Sequence, residues 1–310
     1  MVVAPPRHEG ALDVAIRLGE LVARGSRSSV HAWGRGAVAK VPDRTTPEGW
    51  IHFEALYTAA VRDAGAPAPR LLGIEQVDGR SASIWERVHG PSMWQYLVDR
   101  PERGAHYGRV LAELHVGLFD LVPPVSLPSQ RDRLACKIRR AADEIDPSLA
   151  DALELLPPQT SSPRLCHGDL HPGNVILSPD GPIIIDWFDA SRGDPTADIA
   201  RSSLLLLADG NECPQHLPGA SADTLTTILG AYLTLTKARL DIDDDALARW
   251  RAVEAVARIA EGVSRTTLLD VWRRLGTTDA GAGAGHRGSA ESVSEGSSVV
   301  RRWAVQTAGN

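Results

Sequence analysis

The stretch His167-Gly168-Asp169-Leu170-His171-Pro172-Gly173-Asn174-Val175 precedes, by twelve residues from Asn174, an aspartate that closes the run Ile183-Ile184-Ile185-Asp186. An acid, an amide oxygen five places later and a second acid ending a short strand are side chains that phosphoryl transfer asks of a protein. That chemistry needs a carboxylate to orient a hydroxyl and hard oxygen ligands to hold a metal against phosphates. On this reading Asp169 is the base, while Asn174 and Asp186 are ligands of Mg2+. Asp186 ends an apolar strand, where a buried carboxylate without a cation would be costly. Alone, Asp169 would pass for a turn aspartate; His167 two residues before and Asn174 five after carry the argument. His167 and His171 also have the spacing of a zinc pair. Such a pair needs a helix to put both imidazoles on one face, and Pro172-Gly173 oppose one. His167 is instead expected to pack and hydrogen-bond in support of the loop.

A phosphate-binding cation is the next requirement. Of 33 basic residues only Lys40, Lys137 and Lys237 are lysines, so arginine is the default cation and a lysine calls for a reason. Lys40 ends a predicted strand, and Glu54 lies early in the helix that follows, an arrangement in which the lysine meets the phosphates and the glutamate holds it. Glu48 is an alternative partner. The loop Ala23 to Ser29, with Gly25 and Ser26, would let backbone approach phosphates, though it holds a single glycine. After Asp186 come Asp189, a candidate acceptor contact, Asp194, expected as a helix cap, and Asp198. Asp198 is either a first-turn acid favoured by the helix dipole or a hydrogen-bonding support of the loop. The run Asp241-Ile242-Asp243-Asp244-Asp245 reads as a solvated helix start.

These residues need elements to position them. Leu18 to Val22, Val30 to Trp33 and Gly36 to Val41 read as strands, and apolar spacing from Gly49 to Gly65 reads as a helix. Strands near Arg70 to Glu75 and Ala82 to Val88 complete a small sheet. Beyond Gly90-Pro91 the pattern turns helical, clearest over Tyr107 to His115. Two strands, Asn174 to Leu177 and Pro182 to Asp186, join through the turn Ser178-Pro179-Asp180-Gly181. Asp194-Pro195 starts a helix, and further helices are expected over 222–240 and 245–275. The expected division is a 1–11 extension, a 12–89 nucleotide-binding lobe, a 90–275 catalytic and substrate lobe, and a Gly, Ala and Ser-rich 276–310 tail expected to be disordered.

A chain of 310 residues suffices for two lobes, and 43% hydrophobic with 23% charged residues is ordinary for a globular protein. A net charge of −6 argues against a dedicated nucleic-acid binder. The longest apolar run, Leu204 to Ala208, is too short to cross a bilayer, and Met1 to Gly10 lack a signal-peptide pattern. Cys136, Cys166 and Cys213 form neither a disulfide framework nor a metal pair, which fits a reducing cytoplasm.

With these residues in hand, the chain resembles the aminoglycoside phosphotransferase and choline kinase superfamily of protein-kinase-like fold. The resemblance rests on His167 to Asn174, Ile185-Asp186-Trp187 and Gly193-Asp194-Pro195-Thr196-Ala197-Asp198-Ile199-Ala200, and extends with less force over about 15 to 275. It implies an α+β bilobal fold, with a small antiparallel-sheet lobe carrying one helix and a larger, mainly helical lobe. It implies transfer from ATP, or alternatively GTP, with Mg2+, to a hydroxyl of a small-molecule acceptor. It further implies adenine on the backbone near Glu86 to Val88, and Glu261, in Arg258-Ile259-Ala260-Glu261-Gly262, in the acceptor cleft. Gly168 replaces the arginine of His-Arg-Asp, and Asp194 comes only eight positions after Asp186. Both disfavour a peptide acceptor. An aminoglycoside or other hydroxylated antibiotic leads as acceptor, with sugars, amino alcohols and choline-like metabolites as alternatives. A nucleotide-binding pseudokinase scaffold is the rival class.

Overall fold

The structure is a computed structural model that describes residues 18–25, 27–145, 147–207, 219 and 221–262. The 1–11 extension, the 276–310 tail, Ser26 and Cys213 lie outside the described residues, as does the predicted helix beyond residue 262.

Five antiparallel strands come first: β1 (Leu21–Arg24), β2 (Ser28–Trp33), β3 (Ala37–Pro42), β4 (Leu71–Val77) and β5 (Arg80–Glu86), in the order β1-β2-β3-β5-β4. Helix α1 (Gly49–Asp63) connects β3 to β4 and buries Ile51, Ala55 and Val61, an apolar stripe at helical spacing. Register on the sheet fixes Lys40: it lies opposite Val30 on β2 and Ser83 on β5. Strand β1 begins three residues later than its sequence pattern suggests. Gly19 and Glu20 instead exchange single bonds with Ala32 through Gly19 N–H to Ala32 O and Ala32 N–H to Glu20 O, both 2.9 Å.

The rest is mainly helical: α2 (Met93–Asp99), α3 (Gly104–Phe119), α4 (Gln130–Glu144), α5 (Pro195–Leu207), α6 (Ala222–Leu240) and α7 (Asp244–Ile259). Ser92 and Gln95 cap α2 reciprocally, each side chain accepting the other's backbone N–H, at 3.0 and 2.9 Å. Asp194 caps α5 through Thr196 N–H at 2.8 Å with Pro195 as first helical residue, and Asp243 caps α7 through Ala246 N–H at 2.9 Å. Helices α3 and α6 approach closely because residue 108 is glycine; a Cβ there would lie 2.4 Å from the Ile228 carbonyl oxygen. One large core, including Met93, Leu97, Leu111, Leu118, Leu165, Trp187 and Tyr232, runs through this part.

Two short antiparallel pairings interrupt the helices: β6 (Arg164–Cys166) with β9 (Ser191–Gly193), and the hairpin of β7 (Val175–Ser178) with β8 (Gly181–Ile184). Strand β8 stops two residues before Asp186. Asp186 takes left-handed dihedrals (φ 65, ψ 62), which turns the chain out of the strand and into the helical turn Trp187–Asp189. Among the described residues no helix is long and apolar enough to cross a membrane.

Candidate active site

The loop from Cys166 to Asn174 is suspended from one carboxylate. Asp198, fully buried in the first turn of α5, accepts the His167 N–H at 2.6 Å and the Gly168 N–H at 2.8 Å. Its Oδ2 also meets His115 Nε2 at 2.8 Å, and the other nitrogen of that ring meets the Tyr232 hydroxyl at 2.6 Å. Burial alone would push the Asp198 carboxyl up, but His115 and the loop's N–H groups hold it below the ordinary range. Of the two roles open in the sequence, the structure gives Asp198 the hydrogen-bonding one.

His167 is a spacer within the same loop. It accepts the Asp169 N–H at Nδ1 (3.1 Å), meets the Ile185 carbonyl at Nε2 (3.2 Å) and packs on Trp187, ring centroids 4.6 Å apart. Burial lowers its pKa, which suits a neutral ring with Nε2 as the donor. His171 accepts the Gly173 N–H at Nδ1, 3.0 Å, and so closes the turn that delivers Asn174. Gly168 lies at φ +79, and a Cβ would sit 2.5 Å from the Asp189 carbonyl oxygen. The glycine is therefore required by a close backbone approach of the two acidic loops.

This scaffold brings the predicted acids together. Asn174 donates through Nδ2 to the Asp169 carbonyl at 3.0 Å and more weakly to Asp169 Oδ2 at 3.4 Å, which directs its Oδ1 elsewhere. Ile185 N–H, one residue before Asp186, donates to the Asn174 carbonyl at 2.9 Å. Lys40 Nζ reaches Glu54 Oε1 at 2.6 Å and Asp186 Oδ1 at 3.2 Å, a contact between residues 146 apart in sequence. Burial opposes the charge on this ammonium, yet the two carboxylates outweigh it and raise its pKa. Glu48 is engaged elsewhere, accepting from Ser81 Oγ at 2.6 Å, which leaves Glu54 as the partner. Among the described residues no group of three or more His, Cys, Asp or Glu side chains is arranged to hold a metal. Asn174 Oδ1 and the Asp186 carboxylate, whose side chain is 45% exposed, are hard oxygen donors, a set that fits Mg2+ shared with phosphate oxygens.

Other predicted contacts fall differently. Gly25 N–H closes the β1–β2 hairpin on the Ser28 carbonyl at 2.8 Å, and its φ is not positive, so neither that donor nor a glycine's freedom is spare for phosphates. Glu86 ends β5 with its N–H on the Arg70 carbonyl at 3.0 Å and its carboxylate near Arg62 and Arg70. Val88 follows, half-buried, between β5 and α2. Asp189 and Glu261, the candidate acceptor contacts, are both engaged by internal cations. Arg133 and Lys137 of α4 meet Asp189 Oδ1 at 2.7 and 3.0 Å, and Lys137 meets Glu261 Oε1 at 2.8 Å. Arg201 of α5 bridges Asp169 Oδ1 (3.0 Å) and Glu261 Oε2 (2.9 Å).

The sequence reading missed Arg133, Lys137 and Arg201. Signals existed for two of them. The scarcity that singled out Lys40 applies equally to Lys137. Arg201 stands three residues after Asp198 on one helical face, and is a charge inside an otherwise apolar and small stretch. The stack of Trp50 on Phe188, centroids 4.6 Å apart, ties α1 to the turn after Asp186 and had no signal. Burial pushes the Asp169 carboxyl up, but Arg201, followed by His171, carries it below the ordinary range.

The sequence-family comparison matches residues 22–221 to the phosphotransferase enzyme family. Among curated proteins no sequence matches significantly. A thermostable mutant of an aminoglycoside phosphotransferase in ternary complex with ADP and hygromycin B is similar in structure, with TM-score 0.56, 18% identity, and 86% of this chain and 94% of that one covered. The GDP complex of a mutant aminoglycoside 2'-phosphotransferase-IIIa gives TM-score 0.52 and 18% identity over 96% and 94%. A choline/ethanolamine kinase family protein from Mesorhizobium loti gives TM-score 0.50 and 15% identity over 94% of each chain. The shared architecture is the kinase-like α+β fold, sheet first and helices after.

Proposed function

The chain belongs to the phosphotransferase enzyme family, and from that premise we propose that it moves the γ-phosphate of ATP, with GTP as the alternative donor, to a hydroxyl of a small molecule. The observation that supports this most is the contact of Lys40 with both Glu54 and Asp186, which joins the sheet to the turn that follows β8. Lys40 would hold the phosphates, with Glu54 keeping the ammonium in place. Bound Mg2+, held by Asn174 and Asp186, would supply the positive charge that neutralises the triphosphate. Asp169 would accept a hydrogen bond from the acceptor hydroxyl and aim its oxygen. Its depressed pKa keeps it ionised at neutral pH. Orientation matters more than base strength here, because phosphoryl transfer runs through a loose transition state with late demand for proton removal. The similar structures carry ADP in one case and GDP in another, which is why both donors stand. Their names place aminoglycosides and choline or ethanolamine among the acceptor classes to try.

The test is ADP release across hydroxylated antibiotics, sugars and amino alcohols, with Asp169→Ala as control. Turnover should fall by at least about a hundredfold in that variant, the usual contribution of a positioned acid or base. Unchanged turnover would remove Asp169 from the assigned role, and absence of calorimetric heat with magnesium nucleotide would end the proposal.

A further inference from the structure

Resting on the phosphotransferase reading, we propose that the acceptor is an uncharged polyhydroxylated molecule of sugar or cyclitol type, and that Lys137 and Arg201 set this preference by occupying the carboxylates a polyamine would need. The contacts form a continuous chain outward from Asp169. Its Oδ1 meets Arg201 at 3.0 Å, Arg201 meets Glu261 at 2.9 Å, Glu261 meets Lys137 at 2.8 Å, Lys137 meets Asp189 at 3.0 Å and Asp189 meets Arg133 at 2.7 Å. Anions and cations alternate along it, three of each. Arg258 adds further positive field at Glu261, and buried Glu254 is pushed up to about 8, so it brings no compensating negative charge at neutral pH.

Among the described residues of this array, a polyamine finds no carboxylate to pair with unless it displaces a tethered cation and then sits beside it. Like charges placed together discriminate strongly against a wrong partner. An anionic acceptor meets the same difficulty with the signs reversed, at Asp169, Asp189 and Glu261. A polyol meets neither. Its hydroxyls donate to carboxylate oxygens and accept from ammonium and guanidinium groups, which suits an alternating array. Arginine is this chain's default cation, and Lys137, one of only three lysines, is spent joining two carboxylates here.

Matched pairs of acceptors test the idea: glucose against glucosamine, and inositol against an inositol diamine, with kanamycin and glucuronate as the polycationic and anionic extremes. Both kcat/KM from ADP release and calorimetric binding to the magnesium-nucleotide-loaded protein are measured. The uncharged member of each pair should be preferred by at least about tenfold, or 1.4 kcal/mol. Lys137→Met should narrow that preference about tenfold by freeing negative charge, whereas a merely structural role for Lys137 would lower both members of a pair alike. Preference for the aminated or anionic member, indifference to charge, or failure of every uncharged member to bind or react overturns the proposal. Failure of the phosphotransferase reading itself looks different: magnesium nucleotide alone then gives no heat.

Discussion

The two oxygens of Asp169 face two differently built charge environments. On the Oδ2 side stand Asn174 and then Asp186, where two carboxylates, Asp186 and Glu54, share the single ammonium of Lys40. On the Oδ1 side each carboxylate has its own tethered cation within 3.0 Å. One side therefore keeps an unspent negative charge on a half-exposed carboxylate, and the other is balanced. Surplus negative charge suits a place where a divalent cation must be held against phosphates. Balance suits a place where hydrogen bonds alone discriminate among molecules. The same loop serves both because Asp198 fixes its backbone from below, away from either.

Removing the surplus should break the comparison most severely. Asp186→Ala deletes a proposed metal ligand yet leaves Lys40 its 2.6 Å contact with Glu54. Turnover is expected to fall about a thousandfold, at the upper end for loss of one electrostatic group. The melting temperature should move by no more than ~2 °C, because the side chain is 45% exposed. A large loss of stability, with activity scaling only to the folded fraction, would make Asp186 a structural residue.

The support common to both sides comes next. Asp198→Asn keeps the shape but offers one acceptor oxygen where two backbone N–H groups and His115 converge. Leaving a buried partner unsatisfied at a fully buried site costs about 3 kcal/mol, a fall in melting temperature of about 5 °C for a chain of this size. Thermal unfolding decides it. Little change would mean that the loop holds its shape without this carboxylate.

These two sites were legible in the sequence to different degrees. Asp169, Asn174 and Asp186 could be named because a local segment with punctuating Pro172-Gly173 positions them, and local spacing survives in sequence. Asp198 was visible as an acid but ambiguous, since its partners lie 30 and 31 residues away. The order of sheet and helices followed from period-two and helical patterning, whereas β6 and β9 did not: each is three residues long, and they pair with each other from far apart in sequence. The Oδ1 side was least legible. Its charges come from α4, α5, the turn after Asp186 and the end of α7, and no single segment carries the alternation. That Asp189 and Glu261 are tethered by internal cations was invisible locally, because those cations lie on other elements, up to 124 residues away.

Disturbing the balanced side should have a smaller and more selective effect. Arg201→Gln removes the cation on Asp169 Oδ1, which leads the charges that lower its pKa. A folded pKa held below the ordinary value rises when its cation is lost. The acidic limb of the kcat/KM profile should accordingly move to higher pH, with a rate loss near neutrality of about tenfold. A limb that stays in place would show that Asp169 does not govern it, or that Arg201 does not act on Asp169.

An effect that only a pH series reveals concerns Glu254 on α7, buried and in the field of Arg201, Lys137, Glu261 and Asp198. Desolvation dominates over the cations and pushes its carboxyl from about 4.5 up to about 8. Within that window the unfolded chain has lost the proton while the folded chain retains it. The native state thus binds more protons, so stability is fully present below about 4.5 and is lost as pH rises toward 8. A full proton of difference corresponds to about 1.4 kcal/mol per pH unit. Glu254→Gln mimics the neutral form at every pH, so melting temperatures taken from pH 5 to pH 8 should decline less steeply in the variant than in the parent. Parallel curves would mean that Glu254 is ionised in the folded chain. In that case the Oδ1 side carries an unmatched negative charge after all, and the contrast with the Oδ2 side narrows by that charge.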